Sequence, residues 1–321
     1  MVDTEKLSLI HGTRPNETGN GSKSLSVIKL SGLYKRFGKL EVLKGLDLNV
    51  EEGDIFGLIG ENGAGKTTTI KILLCLEHPQ KGTAEIFGQN CSSDIDELRK
   101  EIGFVSETVF SPDYLTVRES IDFHKQFYPS WDDKYSDKLL DIFDLSPDVK
   151  VSTLSRGQYA RLKLILAFSS RPRLLIIDEI TAGLDALARH DLIIHLKEII
   201  SEENSTIFFA TNLLYDLEKL ATKIAFLEDG KISFVSSVPD IVNKFSKVSF
   251  RNFDALDIIS EEIIVDKIFD NKGAHIIIES KNDDSLQSDE KIAAFEPLFS
   301  GLDLESTFVY LVKSRKGSDK Q

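Results

Sequence analysis

From Val27 onward, short apolar runs alternate with polar turns, and the spacing predicts an element for each run. Residues 27–34 and 46–50 read as strands, the second followed by a Glu-Glu-Gly-Asp turn at 51–54. Residues 55–59 are nearly all apolar and bounded by glycine, the pattern of a strand buried on both faces. Beyond Lys66, the positions Ile70, Leu73 and Leu74 fall at i, i+3 and i+4 and predict a helix. Thr116 and Glu119 have capping-box spacing ahead of an amphipathic run to Phe127, and another helix is expected over 132–143. Next come a helix from Ser155, an aliphatic strand at 174–177, a helix over 188–200, and strands at 206–211 and 223–227. Buried strands alternating with helices predict a mostly parallel sheet. Past Pro239 the texture changes: residues 263–265 and 274–279 read as strands, and 290–298 as a helix. The expected organisation is a disordered polar leader over 1–25, a principal domain over 26–236 with a helical part at about 107–165, and a small α+β accessory domain over 237–321.

Composition narrows the possible partners. The 321 residues are 41% hydrophobic and 28% charged, as in ordinary globular chains. A net charge of -13 argues against nucleic acid as the main partner, because phosphate backbones select surplus Lys and Arg. Cys75 and Cys91 have no metal-ligand spacing and are expected to be reduced thiols in the cytoplasm. No apolar run approaches the ~18 residues of a membrane span, and no secretory h-region is visible near the start. If the protein works at a membrane, another polypeptide is expected to supply the spans.

The candidate chemistry begins at Gly60-Glu61-Asn62-Gly63-Ala64-Gly65-Lys66-Thr67, which matches G-x-x-x-x-G-K-[ST] between a predicted strand and a predicted helix. Glycines let the backbone wrap a phosphate with its N–H groups pointing inward, and the helix N-terminus adds positive potential. Lys66, expected to face solvent, would reach the β and γ phosphates, while the Thr67 hydroxyl would ligate Mg²⁺. A second element is the aliphatic strand that ends in Asp178 and Glu179. Alone, it could be a strand running out into an acidic loop. Beside a phosphate loop, Asp178 reads as part of the Mg²⁺ shell and Glu179 as acceptor of a proton from attacking water. The third element is Leu154-Ser155-Arg156-Gly157-Gln158. Ser155 and Gln158 form an ordinary capping box, and the capped helix N-terminus is also an anion site.

These motifs, in this order, resemble the nucleotide-binding subunit of an ABC transporter over about residues 26–235. The resemblance implies an ABC-type P-loop NTPase fold: a mostly parallel α/β core, an antiparallel β subdomain and a helical subdomain. It makes residues 60–68, including Thr68, the Walker A loop and 154–158 a counterpart of the LSGGQ signature. Asp178 matches the Walker B aspartate, Glu179 the catalytic glutamate, and 182–185 the D-loop. Phe37 stands where an aromatic stacks on adenine. The family further implies ATP and Mg²⁺ as cofactors, a second ATPase subunit packed head to tail, and a transmembrane permease subunit. The expected location is cytoplasmic, peripheral on the inner face of the cell membrane. Residues 303–308 and 216–220 resemble the ABC-2, exporter-like bacterial class.

Three positions depart from the family pattern. Arg156 replaces the first signature glycine, although Ser155, Gly157 and Gln158 remain to contact phosphate. Glu107 replaces the Q-loop glutamine and keeps an oxygen for Mg²⁺ or water. Asn212 replaces the switch histidine; it can donate one amide hydrogen bond but cannot titrate, so slow hydrolysis is expected. The reading that follows is an ATP-hydrolysing transporter subunit. The alternatives are a soluble ABC ATPase outside transport and a nucleotide sensor of low turnover.

Overall fold

The computed structural model describes residues 26–91, 95–106, 111–202, 205–251, 256, 258–270 and 273–318. It opens with strands β1 (Ser26–Phe37), β2 (Leu40–Glu51) and β3 (Ile55–Gly60), then helix α1 (Lys66–Leu73), β4 (Lys81–Ile86), β5 (Gln89–Asn90), α2 (Ile95–Lys100) and β6 (Ile102–Ser106). The helices α3 (Val117–Lys125), α4 (Asp133–Ile142) and α5 (Arg156–Ser169) fall between β6 and β7 (Leu174–Asp178). The chain continues through α6 (Ala186–Glu202), β8 (Thr206–Thr211), α7 (Leu214–Leu220), β9 (Lys223–Glu228), β10 (Lys231–Ser237) and α8 (Val238–Val242). The remaining elements are β11 (Phe245–Phe250), β12 (Ile264–Asp270), β13 (Gly273–Glu279), α9 (Asp283–Gln287), α10 (Glu290–Ala293), β14 (Leu298–Gly301) and α11 (Leu304–Ser318).

Three sheets result. The six-stranded sheet has the order β10-β9-β3-β8-β7-β6, parallel except for β10 at its edge. Its strands β7 and β8 are buried throughout, as their apolar runs predict. A four-stranded antiparallel sheet, β2-β1-β4-β5, shares one hydrophobic cluster with the near face of that parallel sheet, through Leu43, Leu46, Ile70, Leu73, Ile176 and Phe208. The cluster on the other face takes in α3–α7, among them Phe143, Leu162, Leu192 and Leu217. Both expected capping boxes form: Thr116 and Ser155 each accept from the N3 backbone, and Glu119 and Gln158 reach back.

The third sheet, β12-β13-β11-β14, is antiparallel and lies beyond residue 244. Ile276 and Ile278 pack with Leu286 and Ile292 on one face, while Ile277 packs with Phe245, Tyr310 and Leu311 on the other. The helix expected over 290–298 stops at Ala293, and Leu298–Gly301 is a strand instead. Pro297 disfavours helical backbone at the residue before it, and Glu296 sits at φ 48° in the left-handed region. Helix α11 packs against both this sheet and the principal half. Leu304 is fully buried in its core, the Leu304 N–H donates to Glu218 Oε2 at 3.0 Å, and Phe308 packs edge-on against Phe226 at 4.8 Å. Among the described residues no helix is long and apolar enough to cross a membrane.

Candidate functional site

The register of the parallel strands gathers the candidate residues at one edge. Ile59 pairs with Thr211, Ala210 with Asp178, and Asp178 with Ser106. The phosphate loop, Asn212 and the Asp178-Glu179 pair therefore all emerge from the C-terminal ends of neighbouring strands, where open α/β sheets place their ligands.

The loop backbone needs its glycines. A Cβ at Gly60 would lie 2.5 Å from the Leu227 carbonyl oxygen. Gly65, the N-cap of α1, has φ 115°, and a Cβ there would meet Leu43 Cδ2 at 2.7 Å. The turn thus delivers the N-terminus of α1 to the space above Gly60. Lys66 does not face solvent as expected: it is 5% exposed. Its amino group donates to the carbonyls of Gly60 (2.9 Å) and Glu61 (3.2 Å) and stands 3.8 Å from Glu179 Oε1. A lysine in this loop buries its aliphatic stem under the turn it closes, leaving only the charged tip at the site.

Asp178 is buried at the end of β7, and burial and the neighbouring Glu179 push its carboxyl above the ordinary 3.8, while Thr67, Lys66 and Lys71 pull it down. Its Oδ1 has no hydrogen-bond partner among the described residues. Such an orphaned buried carboxylate oxygen beside a hydroxyl suits a hard divalent cation. No cluster of three or more His, Cys, Asp or Glu side chains among the described residues could hold a metal alone. A Mg²⁺ here would draw its remaining ligands from phosphate and water, its usual habit. Glu179 adopts φ 50°, a strained value for a residue with a side chain, and its N–H donates to the Ala210 carbonyl at 3.0 Å.

Asn212 Nδ2 donates to Asn62 Oδ1 at 3.3 Å, so the switch position already touches the phosphate loop. Phe37 is 45% exposed at the end of β1, with Lys35 Nζ 5.0 Å from its ring centre. Ser155 is the N-cap of α5, with Gly157 and Gln158 in its first turn. A cleft of about 250 Å³ runs between α5 and the acidic turn, lined by Arg156, Tyr159, Lys163, Glu179 and Leu184 among others. Glu107 lies outside the described residues. Two contacts were invisible in the sequence: Lys163 donates to the Ser106 carbonyl at 2.7 Å, and Thr181 to Asp216 Oδ2 at 2.5 Å. Their partners are 57 and 35 positions apart, beyond any local pattern.

Comparison with known proteins decides the family. Residues 43–182 match the family described as ABC transporter. The bacitracin transport ATP-binding protein BcrA of Bacillus licheniformis is 31% identical over 247 residues, covering 76% of this chain and 80% of that one. The chain belongs to the ABC transporter ATP-binding proteins. The ABC transporter ATP-binding protein YtrB of Bacillus subtilis is 29% identical over 228 residues, 69% of this chain and 76% of that protein. Among solved structures, a dimeric bacterial ABC transporter cassette, MJ0796, superposes with a TM-score of 0.58 at 26% identity, over 65% of this chain and 98% of that one. The same cassette is known as a dimer in a post-hydrolysis state with ADP and phosphate, at 25% identity and a TM-score of 0.58. ABC cassettes are P-loop ATPases that bind and hydrolyse ATP and pair as dimers, and the parallel sheet, phosphate loop and flanking antiparallel sheet here are that fold.

Proposed function

We propose that this chain is the ATP-hydrolysing subunit of an exporter, acting peripherally on the cytoplasmic face of a membrane through a separate membrane-spanning partner. The observation that carries the reading is the meeting of Lys66, Asp178 and Glu179 at one strand edge, with Lys66 Nζ 3.8 Å from Glu179 Oε1. The names of relatives that transport bacitracin or export Nod factor support export. We assign residues 26–236 to the ATPase and the region from 237 onward to an accessory unit. Residues 60–68 hold the phosphates through backbone N–H groups and Lys66, with adenine on Phe37. Thr67 and Asp178, with Glu107, would hold Mg²⁺, which would supply neutralisation of phosphate charge. Glu179 takes the proton from the water that attacks the γ phosphorus as the bond to the ADP oxygen breaks. Asn212 turns its amide from Asn62 to the γ phosphate and stabilises the charge gathering there. Ser155, Gly157 and Gln158 of a second subunit, packed head to tail, close over the nucleotide.

Lys66→Met tests this reading, because it keeps the buried stem and removes the charge. Losing charge-assisted hydrogen bonds to phosphate is expected to weaken ATP about ten- to hundredfold by calorimetry, with the melting temperature held. Unchanged affinity would remove the phosphate loop from the nucleotide site.

A further inference from the structure

Glu179 is aimed from a strained backbone, and such strain persists only where the surroundings over-determine it. One restraint is its own N–H, which donates to the Ala210 carbonyl of β8 at 3.0 Å. The acidic turn then closes on itself, with the Ala182 N–H donating to the Glu179 carbonyl (3.0 Å) and the Leu184 N–H to the Thr181 carbonyl (3.2 Å). A turn of this kind can still rock as a unit. Thr181 in that turn is 2% exposed, and its hydroxyl donates to Asp216 Oδ2 at 2.5 Å.

Asp216 is 5% exposed on α7, four residues after Asn212. It faces a wall of apolar side chains that includes Ile177, Ile180, Ile193, Phe209 and Leu220, a setting that punishes a polar group without a purpose. Burial raises its carboxyl above the ordinary 3.8, while Thr181 and the Arg189 charge on α6 oppose the rise. The helix that carries it is fixed. Leu217 sits so close to Gly57 of β3 that a Cβ there would meet it at 2.5 Å, and Glu218 accepts from the Leu304 N–H of α11. Asp216 is therefore a strut standing on a rigid post.

We propose that Asp216 is a positioning residue, which through Thr181 locks the Glu179 turn to the helix behind Asn212, so that the proton acceptor and the γ-phosphate donor keep one fixed geometry. The inference rests on Glu179 being the base assigned above. Its content is that neither Thr181 nor Asp216 touches the nucleotide, yet both govern the chemical step. Misplacing a reacting group by about 1 Å can cost on the order of a hundredfold in rate. ATP affinity, held by the phosphate loop, should not follow.

The experiment is steady-state ATPase of wild type, Asp216→Ala, Asp216→Asn, Thr181→Val, Thr181→Ser and the double Thr181→Val/Asp216→Ala, with kcat and KM determined separately. Asp216→Ala and Thr181→Val should each lower kcat by about ten- to hundredfold with KM for ATP within about twofold of wild type. The amide oxygen of Asp216→Asn and the hydroxyl of Thr181→Ser preserve the bond, so both should stay within about threefold of wild type. The double variant should be no slower than the worse single one, because the two singles break one shared interaction. If Asp216→Ala does not fold, Thr181→Val decides alone. A kcat unchanged in Thr181→Val, a KM that rises in step with the loss, or an Asp216→Asn as damaged as Asp216→Ala overturns the strut. A wild type without turnover overturns the ATPase reading as well, which separates the two failures.

Discussion

The six-stranded sheet and the four-stranded sheet beyond residue 244 are both built from strands with buried apolar side chains, yet they use their strand ends differently. In the first, β3, β8, β7 and β6 run parallel, so Gly60, Thr211, Asp178 and Ser106 all arrive at one edge. In the second, every pairing is antiparallel, so the C-terminal ends of neighbouring strands point to opposite edges. The central strand β13 is buried on both faces, packing Ile276 and Ile278 one way and Ile277 the other. Strand direction thus separates a sheet that concentrates chemistry from one whose interior is spent on packing.

Glu179→Gln strikes the convergent edge hardest. The amide keeps the shape but accepts no proton, and removing a general base typically costs about 10²- to 10⁴-fold. Turnover should fall by that factor while ATP affinity stays, and the persisting ATP should hold two copies together in size-exclusion chromatography. A variant that turns over normally would break the assignment of chemistry to this edge. Ile276→Ala probes the other sheet: truncating a fully buried isoleucine should cost about 2–5 kcal/mol in denaturant unfolding and leave the ATP dissociation constant unchanged. If ATP affinity moved with stability, the two sheets would not be separable in function. Asn212→His sharpens the picture within the first sheet. An imidazole donates a stronger, partly charged hydrogen bond to the γ phosphate, and one such gain is worth about tenfold in rate. Steady-state ATPase with the membrane partner, over pH 6 to 9, checks it, and a rate unchanged throughout would mean that Asn212 does not limit turnover.

What could be read from the sequence follows the same division. The phosphate loop, the strand ending in Asp178 and both capping boxes are set by residues within a few positions of one another, and local patterns found them. The turn at Glu296 and Pro297, between α10 and β14, is present in the sequence, yet residues 290–298 read there as one helix. Lys66 was expected to face solvent as a phosphate ligand; its burial comes from the carbonyls of Gly60 and Glu61 that it reaches, a tertiary fact. The Thr181–Asp216 bond joins residues 35 positions apart and leaves no periodic trace. Glu107 falls outside the described residues, so its place at the site remains part of the proposal.

Helix α11 carries a consequence for how the protein is made. Leu304 completes the core around α7, 86 positions after Glu218 has been added to the chain. At about 5–20 residues per second, a ribosome needs on the order of ten seconds to cover that gap. Throughout it, Phe226 and its neighbours lack the aromatic ring that later covers them. The nascent ATPase half therefore passes through a window in which an unfilled apolar seat is open to chaperones, and to any sister chain emerging from the same message.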